Sequence, residues 1–119
     1  MISRKTQFSI IAVVLVLVGS MAFSQIFKTN LTLTVRDELG NTVDSASVKL
    51  FEKKEDYLKE VNVAAETTTN AKGVAKFKGI KPVSYFVLVR KCDKDNAGGG
   101  EEISKLEEGK FNKSTVVIQ

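Results

Sequence analysis

Leu31-Thr32-Leu33-Thr34-Val35 alternates apolar and hydroxyl side chains with a period of two, and the same period returns down the chain between clusters of turn residues. Successive side chains of an extended strand point to opposite faces, so Leu31, Leu33 and Val35 share one face and Thr32 and Thr34 the other. Asp37 to Asn41 supplies a turn in which Gly40 is free to take positive φ. A second strand follows over Ala46 to Phe51, with Ala46, Val48 and Leu50 together. Glu66 to Thr69 is Thr-rich and extended, Asn70 to Gly73 is a turn, and Val74 to Lys78 returns with Ala75 and Phe77 on one face. Pro82 interrupts ladder pairing in the reversal Gly79 to Pro82. Tyr85, Val87 and Val89 then alternate with Phe86 and Leu88; apolar groups on both faces mark a central strand. Ser114 to Gln119 closes the series with Val116 and Ile118 inward. Six or seven short strands with frequent turns predict an all-β fold, a β-sandwich.

Two segments break the rhythm. Glu52 to Glu60 is charged, and a helix of that length is marginal alone, so the expectation is a loop feeding a short strand around Tyr57 to Val61. Cys92 to Asn112 contains Asp93-Lys94-Asp95-Asn96 and Gly98-Gly99-Gly100. Consecutive glycines offer no side-chain packing and lose much backbone entropy on ordering, which predicts a mobile loop.

The N-terminus has a different character. Arg4 and Lys5 precede an apolar run from Phe8 to Val18 and a small-residue site at Ala22-Phe23-Ser24. This is the pattern of a secretory signal peptide over Met1 to Ser24, leaving Gln25 to Gln119 as one domain. The run is short against the roughly 20 residues a spanning helix requires, so no stable membrane span is expected after processing. The destination is periplasmic or secreted. Removing Arg4 and Lys5 from 18 basic residues leaves 16 against 14 acidic ones. Mixed lysines and glutamates are a solvated surface, and no nucleic-acid partner is expected.

Cys92 is the single cysteine, so no disulfide forms within the chain; the thiol is either buried and free, the favoured expectation, or exposed and able to join two chains. Absence of histidine removes the usual imidazole base of serine and cysteine triads. The carboxylates of Asp93 and Asp95, two apart on a loop, do not make a pocket for acid/base work. Hard oxygen ligands at alternate positions suit calcium better, with Asp93, Asp95, Asn96 and a returning Glu101 (or Glu102) as the candidate set. Gly98 stands sixth from Asp93, as in an EF-hand loop, but Ala97 and Ser104 occupy the fifth and twelfth places.

The motifs Asp37-x-x-Gly40-x-x-Val43, Ala46 to Leu50, Thr67-Thr68-Thr69-Asn70, Gly73-x-x-x-Phe77 and Pro82-x-x-Tyr85-x-Val87-x-Val89 resemble the carboxypeptidase regulatory-like family. That family belongs to the prealbumin-like or transthyretin-like group and is related to collagen-adhesin B-type domains. The resemblance covers Leu31 to Lys91 and implies a seven-stranded prealbumin-like β-sandwich with Greek-key connections. This chain has Asp44-Ser45 and Val83-Ser84 where many members have Pro or Gly. One branch of the group hydrolyses hydroxyisourate with histidines, none of which exists here. The adhesin relatives imply an internal isopeptide, for which Lys28, Asn112 and Glu66 are candidates by position.

The expected function is a non-catalytic binding or structural module of the bacterial cell envelope, needing no cofactor. Its partner would be an envelope protein or an extracellular peptide or glycan, met by loops or by an open strand edge. Tyr57 and Phe86 are candidates for an apolar contact there or for sheet packing. The alternatives are a calcium-stabilised adhesion or assembly module and, third, a small hydrolase. Strand order and oligomeric state are not legible from spacing.

Overall fold

The alternation becomes a core. In the computed structural model, which describes residues 28–119, Leu31, Leu33 and Val35 are buried while Thr32 and Thr34 are half-exposed. The leader expected over Met1 to Ser24 lies outside the described residues. Strand β1 (Asn30–Asp37) pairs antiparallel with β4 (Val74–Phe77) and parallel with β8 (Phe111–Ile118), making a three-stranded sheet. In the second sheet β2 (Ser47–Phe51) lies between β3 (Ala65–Thr68) and β5 (Tyr85–Lys91). Two short pieces, β6 (Lys94–Asp95) and β7 (Glu102–Ile103), share the far edge of β5.

The fold is therefore an all-β sandwich. The eight strands exceed the seven expected because β6 and β7 are two-residue pieces of one interrupted edge. The chain crosses between sheets at β1–β2, β3–β4, β4–β5 and β7–β8, which the Greek-key expectation anticipates. Val48, Leu50, Val87, Val89, Val116 and Ile118 meet Leu31, Leu33 and Val35 between the sheets. Burial of each such side chain contributes on the order of 1.5–3 kcal/mol, enough to hold a sandwich with no disulfide. β5 is the central strand, as its two apolar faces predict.

Three local expectations are corrected. The segment at Tyr57 is a helix, α1 (Lys54–Lys59), and not a strand. Glu55 and Asp56 in its first turn and Lys59 in its last suit the helix dipole. Tertiary packing supplies what so short a helix lacks: Tyr57 lies 6.0 Å from both Phe51, edge to face, and Phe86, tilted. Helix α1 thus caps the outer face of the second sheet. The closing strand starts at Phe111 and not Ser114, because its parallel register with β1 begins at Asn30↔Phe111. The third correction concerns the glycine-rich segment.

Candidate functional site

Along the far edge of β5 the outward groups belong to Tyr85, Val87, Val89 and Lys91, since the neighbouring parity faces β2. β6 pairs at the upper end through Lys91↔Lys94, and β7 at the lower end through Tyr85↔Ile103. Between them the side chain of Asn96 replaces a strand. Its Oδ1 accepts the Val89 N–H at 2.9 Å, and its Nδ2 donates to the Val87 carbonyl at 2.8 Å and to the Gly100 carbonyl at 2.9 Å. Asn96 is fully buried, and all its bonds are spent on the backbone. The amide of a side chain has the donor and acceptor of a peptide group, so it continues the ladder across the gap.

The glycines that follow lock the two sheets together. Val117 N–H donates to the Gly99 carbonyl at 3.1 Å, and Asp95 and Gln119 exchange backbone bonds of 3.3 and 2.9 Å. A Cβ on Gly99 would stand 2.0 Å from the Val117 carbonyl oxygen, so only glycine permits this approach. The segment expected to be a mobile loop is a seam joining β5 to β8, because Asn96 and Gly99 bond it to both strands.

Three of the four residues expected to hold calcium have a side-chain oxygen engaged by the backbone. Asn96 Oδ1 is taken by Val89, Asp95 Oδ1 accepts the Ala97 N–H at 3.0 Å, and Glu101 Oε1 accepts the Gly98 N–H at 3.3 Å. Asp93 lies exposed at the β5–β6 turn. Among the described residues no group of three or more acidic, Cys or His side chains is placed to hold a metal ion. Beside the seam, burial first and then the Glu101 and Asp95 carboxylates raise the Tyr57 phenol above its usual range, with Glu60 adding to the effect. Arg90 donates to Glu60 Oε1 at 2.7 Å, tying α1 to β5.

Cys92 is exposed and free, correcting the favoured expectation of a buried thiol. It sits in the β5–β6 turn at φ 55°, beside a cleft of about 300 Å³ that Asp37, Asp44 and Lys94 also line. The positions named for an isopeptide are not assembled. Asn112 donates to the carbonyls of Asn30, Glu107 and Lys110, whereas Glu66 is exposed on the other sheet. Asn112, Asn96 and Thr69, whose hydroxyl accepts the Ala46 N–H at 2.8 Å and donates to the Val43 carbonyl at 2.7 Å, are side chains whose structural importance sequence reasoning missed. The available signal for Asn96 is an Asn two residues before three glycines, a pattern equally suited to a ligand.

Three strand edges stay open in whole or in part among the described residues: β3, the lower part of β8, and β4, where Asn70 takes both backbone groups of Val74 and those of Lys76 point outward. On β3 the Thr69 N–H bonds the Ala46 carbonyl, so Ala65 and Thr67 face β2 and the backbone groups of Glu66 and Thr68 point outward. On β8 the groups of Phe111, Lys113 and Thr115 point outward below the seam, next to a groove of about 310 Å³ lined by Ile103, Lys105 and Leu106.

No family profile matches the chain, and no curated protein matches it. Solved structures do. The pilus 2b backbone protein of group B streptococcus is 16% identical at a TM-score of 0.53, with 76% of this chain and 40% of that one covered. A streptococcal ancillary pilin is 14% identical at 0.55, over 76% of this chain and 32% of that one. The major pilin subunit of Bacillus cereus is 20% identical at 0.52, over 77% of this chain and 30% of that one. The chain thus spans well under half the length of these pilins, and at such identities the likeness is one of fold, a β-sandwich shared with pilin domains.

Proposed function

We propose that this chain is a non-catalytic structural or assembly module of a bacterial cell surface. The observation that carries the reading is the way the sandwich uses its polar groups. Asn96, Asn112, Asp95 and the Arg90–Glu60 pair are engaged in holding strands and loops together. A rigid body with open sheet edges suits association with other chains. The fold shared with pilin domains, and the motif resemblance to carboxypeptidase regulatory-like domains, support the same reading by analogy.

In this reading Met1 to Ser24 directs export, the working chain starts at Gln25, and the partner is another envelope component. Among the described residues no helix is long and apolar enough to cross a membrane. Fractionation of the source cells with intact-mass analysis tests the reading. The expected result is a chain beginning at Gln25 in the envelope or external fraction and sensitive to protease added to whole cells. A cytoplasmic chain beginning at Met1 and protected from protease would overturn it.

A further inference from the structure

One sheet of the sandwich is covered and the other is bare. Helix α1 packs on β2 and β5, whereas among the described residues no helix packs on the outer face of β4, β1 and β8. Alternation puts Leu31, Leu33 and Val35 inside, so that bare face consists of Asn30, Thr32 and Thr34 with the residues in register beside them. None of these positions carries a carboxylate. Thr32 has Lys76 on one side and Lys113 on the other, and Asn30 has Phe111 beside it, 79% exposed. Lys78 joins Lys76, Asn30, Thr32 and Phe111 around a cavity of about 170 Å³. Lys28 reaches the same end, its Cδ lying 3.4 Å from where a Cβ on Gly79 would stand. The ion pairs of the described residues are Lys81–Glu52, Arg90–Glu60 and Lys110–Glu107, so Lys28, Lys76, Lys78 and Lys113 are neutralised by none of them. Setting these four lysines apart takes the balance after Ser24 from 16 basic against 14 acidic residues to 12 against 14, so the positive excess of the chain resides on this face. Ordinary surfaces intersperse the two signs, and a field of one sign draws the opposite charge to it.

We infer that this face binds an acidic glycan, a saccharide chain carrying a carboxylate or phosphate on its repeating unit. The inference deepens the surface-module reading, naming the component that the module meets, and rests on it. Neighbouring strands lie about 4.8 Å apart, so Phe111 and the lysines of β4 face each other across β1 at roughly 10 Å. The trough between them has an aromatic wall, ammonium groups opposite, and the amide of Asn30 and the hydroxyl of Thr32 on its floor. A sugar ring has an apolar C–H face, which stacks on Phe111, and a rim of hydroxyls, which meet Asn30 and Thr32. Its acid groups meet the lysines in charge-assisted hydrogen bonds, about twice as strong as neutral ones. Other anionic partners fit this face less well. Single-stranded nucleic acid stacks successive bases on several aromatic rings, and only Phe111 stands on this face. A lipid surface is met by an inserted apolar face, not by a trough with a polar floor. A second copy offers no acidic counterpart, because Glu55, Asp56 and Glu60 are mixed with Lys53, Lys54 and Lys59 around α1.

The test uses the chain as its source cells process it, with oligogalacturonate as the carboxylate probe, phosphomannan oligosaccharide as the phosphate probe and fully methyl-esterified oligogalacturonate as the uncharged control. Chemical-shift changes at Asn30, Thr32, Lys76 and Phe111 are expected with an acidic glycan. Its affinity should exceed that of the methyl ester by about tenfold or more and fall as salt is raised. Lys76→Gln combined with Lys78→Gln is expected to lower affinity about tenfold. Phe111→Ala is expected to lower it about fivefold with the charge unchanged, a loss that association by charge alone would not show. All three side chains are exposed, so these variants keep the fold, as circular dichroism verifies. Equal binding of the methyl ester would overturn the inference, as would equal or tighter binding of inorganic polyphosphate, a thymidine oligonucleotide or phosphatidylglycerol vesicles. Self-association through Phe111 without glycan, shifts confined to another face, or no shift at millimolar concentrations of either acidic glycan would also overturn it. Those outcomes leave the surface-module reading standing if fractionation places the chain outside the cell, so the two fail separately.

Discussion

Replacing Asn96 by alanine strikes the joint on which the seam depends. The side chain makes three bonds of 2.8–2.9 Å to buried backbone, and its loss orphans the Val89 N–H and the Val87 carbonyl inside the edge of β5. A buried polar group left unsatisfied costs about 1–3 kcal/mol, so the two groups together with the freed Gly100 carbonyl cost about 3–5 kcal/mol. Against a total stability of about 5–15 kcal/mol for a domain, this is a large fraction. Urea unfolding of Asn96→Ala should show it directly, and thermal unfolding should show a fall of about 15 °C or more. Asn96→Asp adds a sign. Facing the Val87 and Gly100 carbonyls without a proton to donate, the introduced carboxyl is pushed above the unfolded value of about 3.9. The native state then holds its proton longer than the unfolded state. Stability is therefore fullest below about pH 4 and is lost as pH rises through the unfolded and then the folded value. An Asn96→Ala protein within about 0.5 kcal/mol of the parent, the range typical of an exposed loop position, would refute this reasoning.

Other consequences are open to measurement. Gly99→Ala places a methyl 2.0 Å from the Val117 carbonyl oxygen, so the seam must part; a loss of about 2 kcal/mol or more and faster amide exchange at Val117 and Gln119 are expected, whereas unchanged exchange would contradict the contact. Calcium at millimolar concentration, or its removal with a chelator, should shift the melting temperature by less than about 1 °C, because Asn96 Oδ1 is already bonded; a rise of several degrees would restore the calcium-stabilised alternative. Burial and the neighbouring Glu101 and Asp95 raise the Tyr57 phenol above the ordinary tyrosine value of about 10, so its contribution to stability is full below that pH and lost as pH climbs through the folded value. Tyr57→Phe should therefore lessen the alkaline loss of stability, and an identical alkaline profile would count against the packing of α1 on Phe86.

The strands were legible because alternation is local and strong. Leu31 to Val35, Ala46 to Phe51 and Tyr85 to Val89 each placed the correct residues inward, and β5 was identifiable from Phe86 and Leu88 on its second face. Tyr57 was misread because the stability of α1 resides in Phe51 and Phe86, partners that only the folded sheet brings near. The part Asn96 plays in the ladder is hidden from the sequence for a related reason. An Asn before Gly98-Gly99-Gly100 carries the same local signal whether it binds an ion, a turn or a neighbouring strand; the choice is made by β5 and β8, distant in sequence. Asn112 is engaged by Asn30 and Glu107 at the start of β8, a placement fixed by the parallel register with β1. The edges of β3 and β8 were foreseeable in kind but not in place, since strand order is set by crossovers that period-two patterning does not encode.

Mild, membrane-impermeant cross-linking of the source cells followed by native mass spectrometry tests the central claim most directly. A structural or assembly module should appear as the Gln25 to Gln119 chain within a larger assembly that includes a second envelope chain. A bare monomer of that mass from intact cells, with no assembly at any cross-linker concentration, would contradict the account.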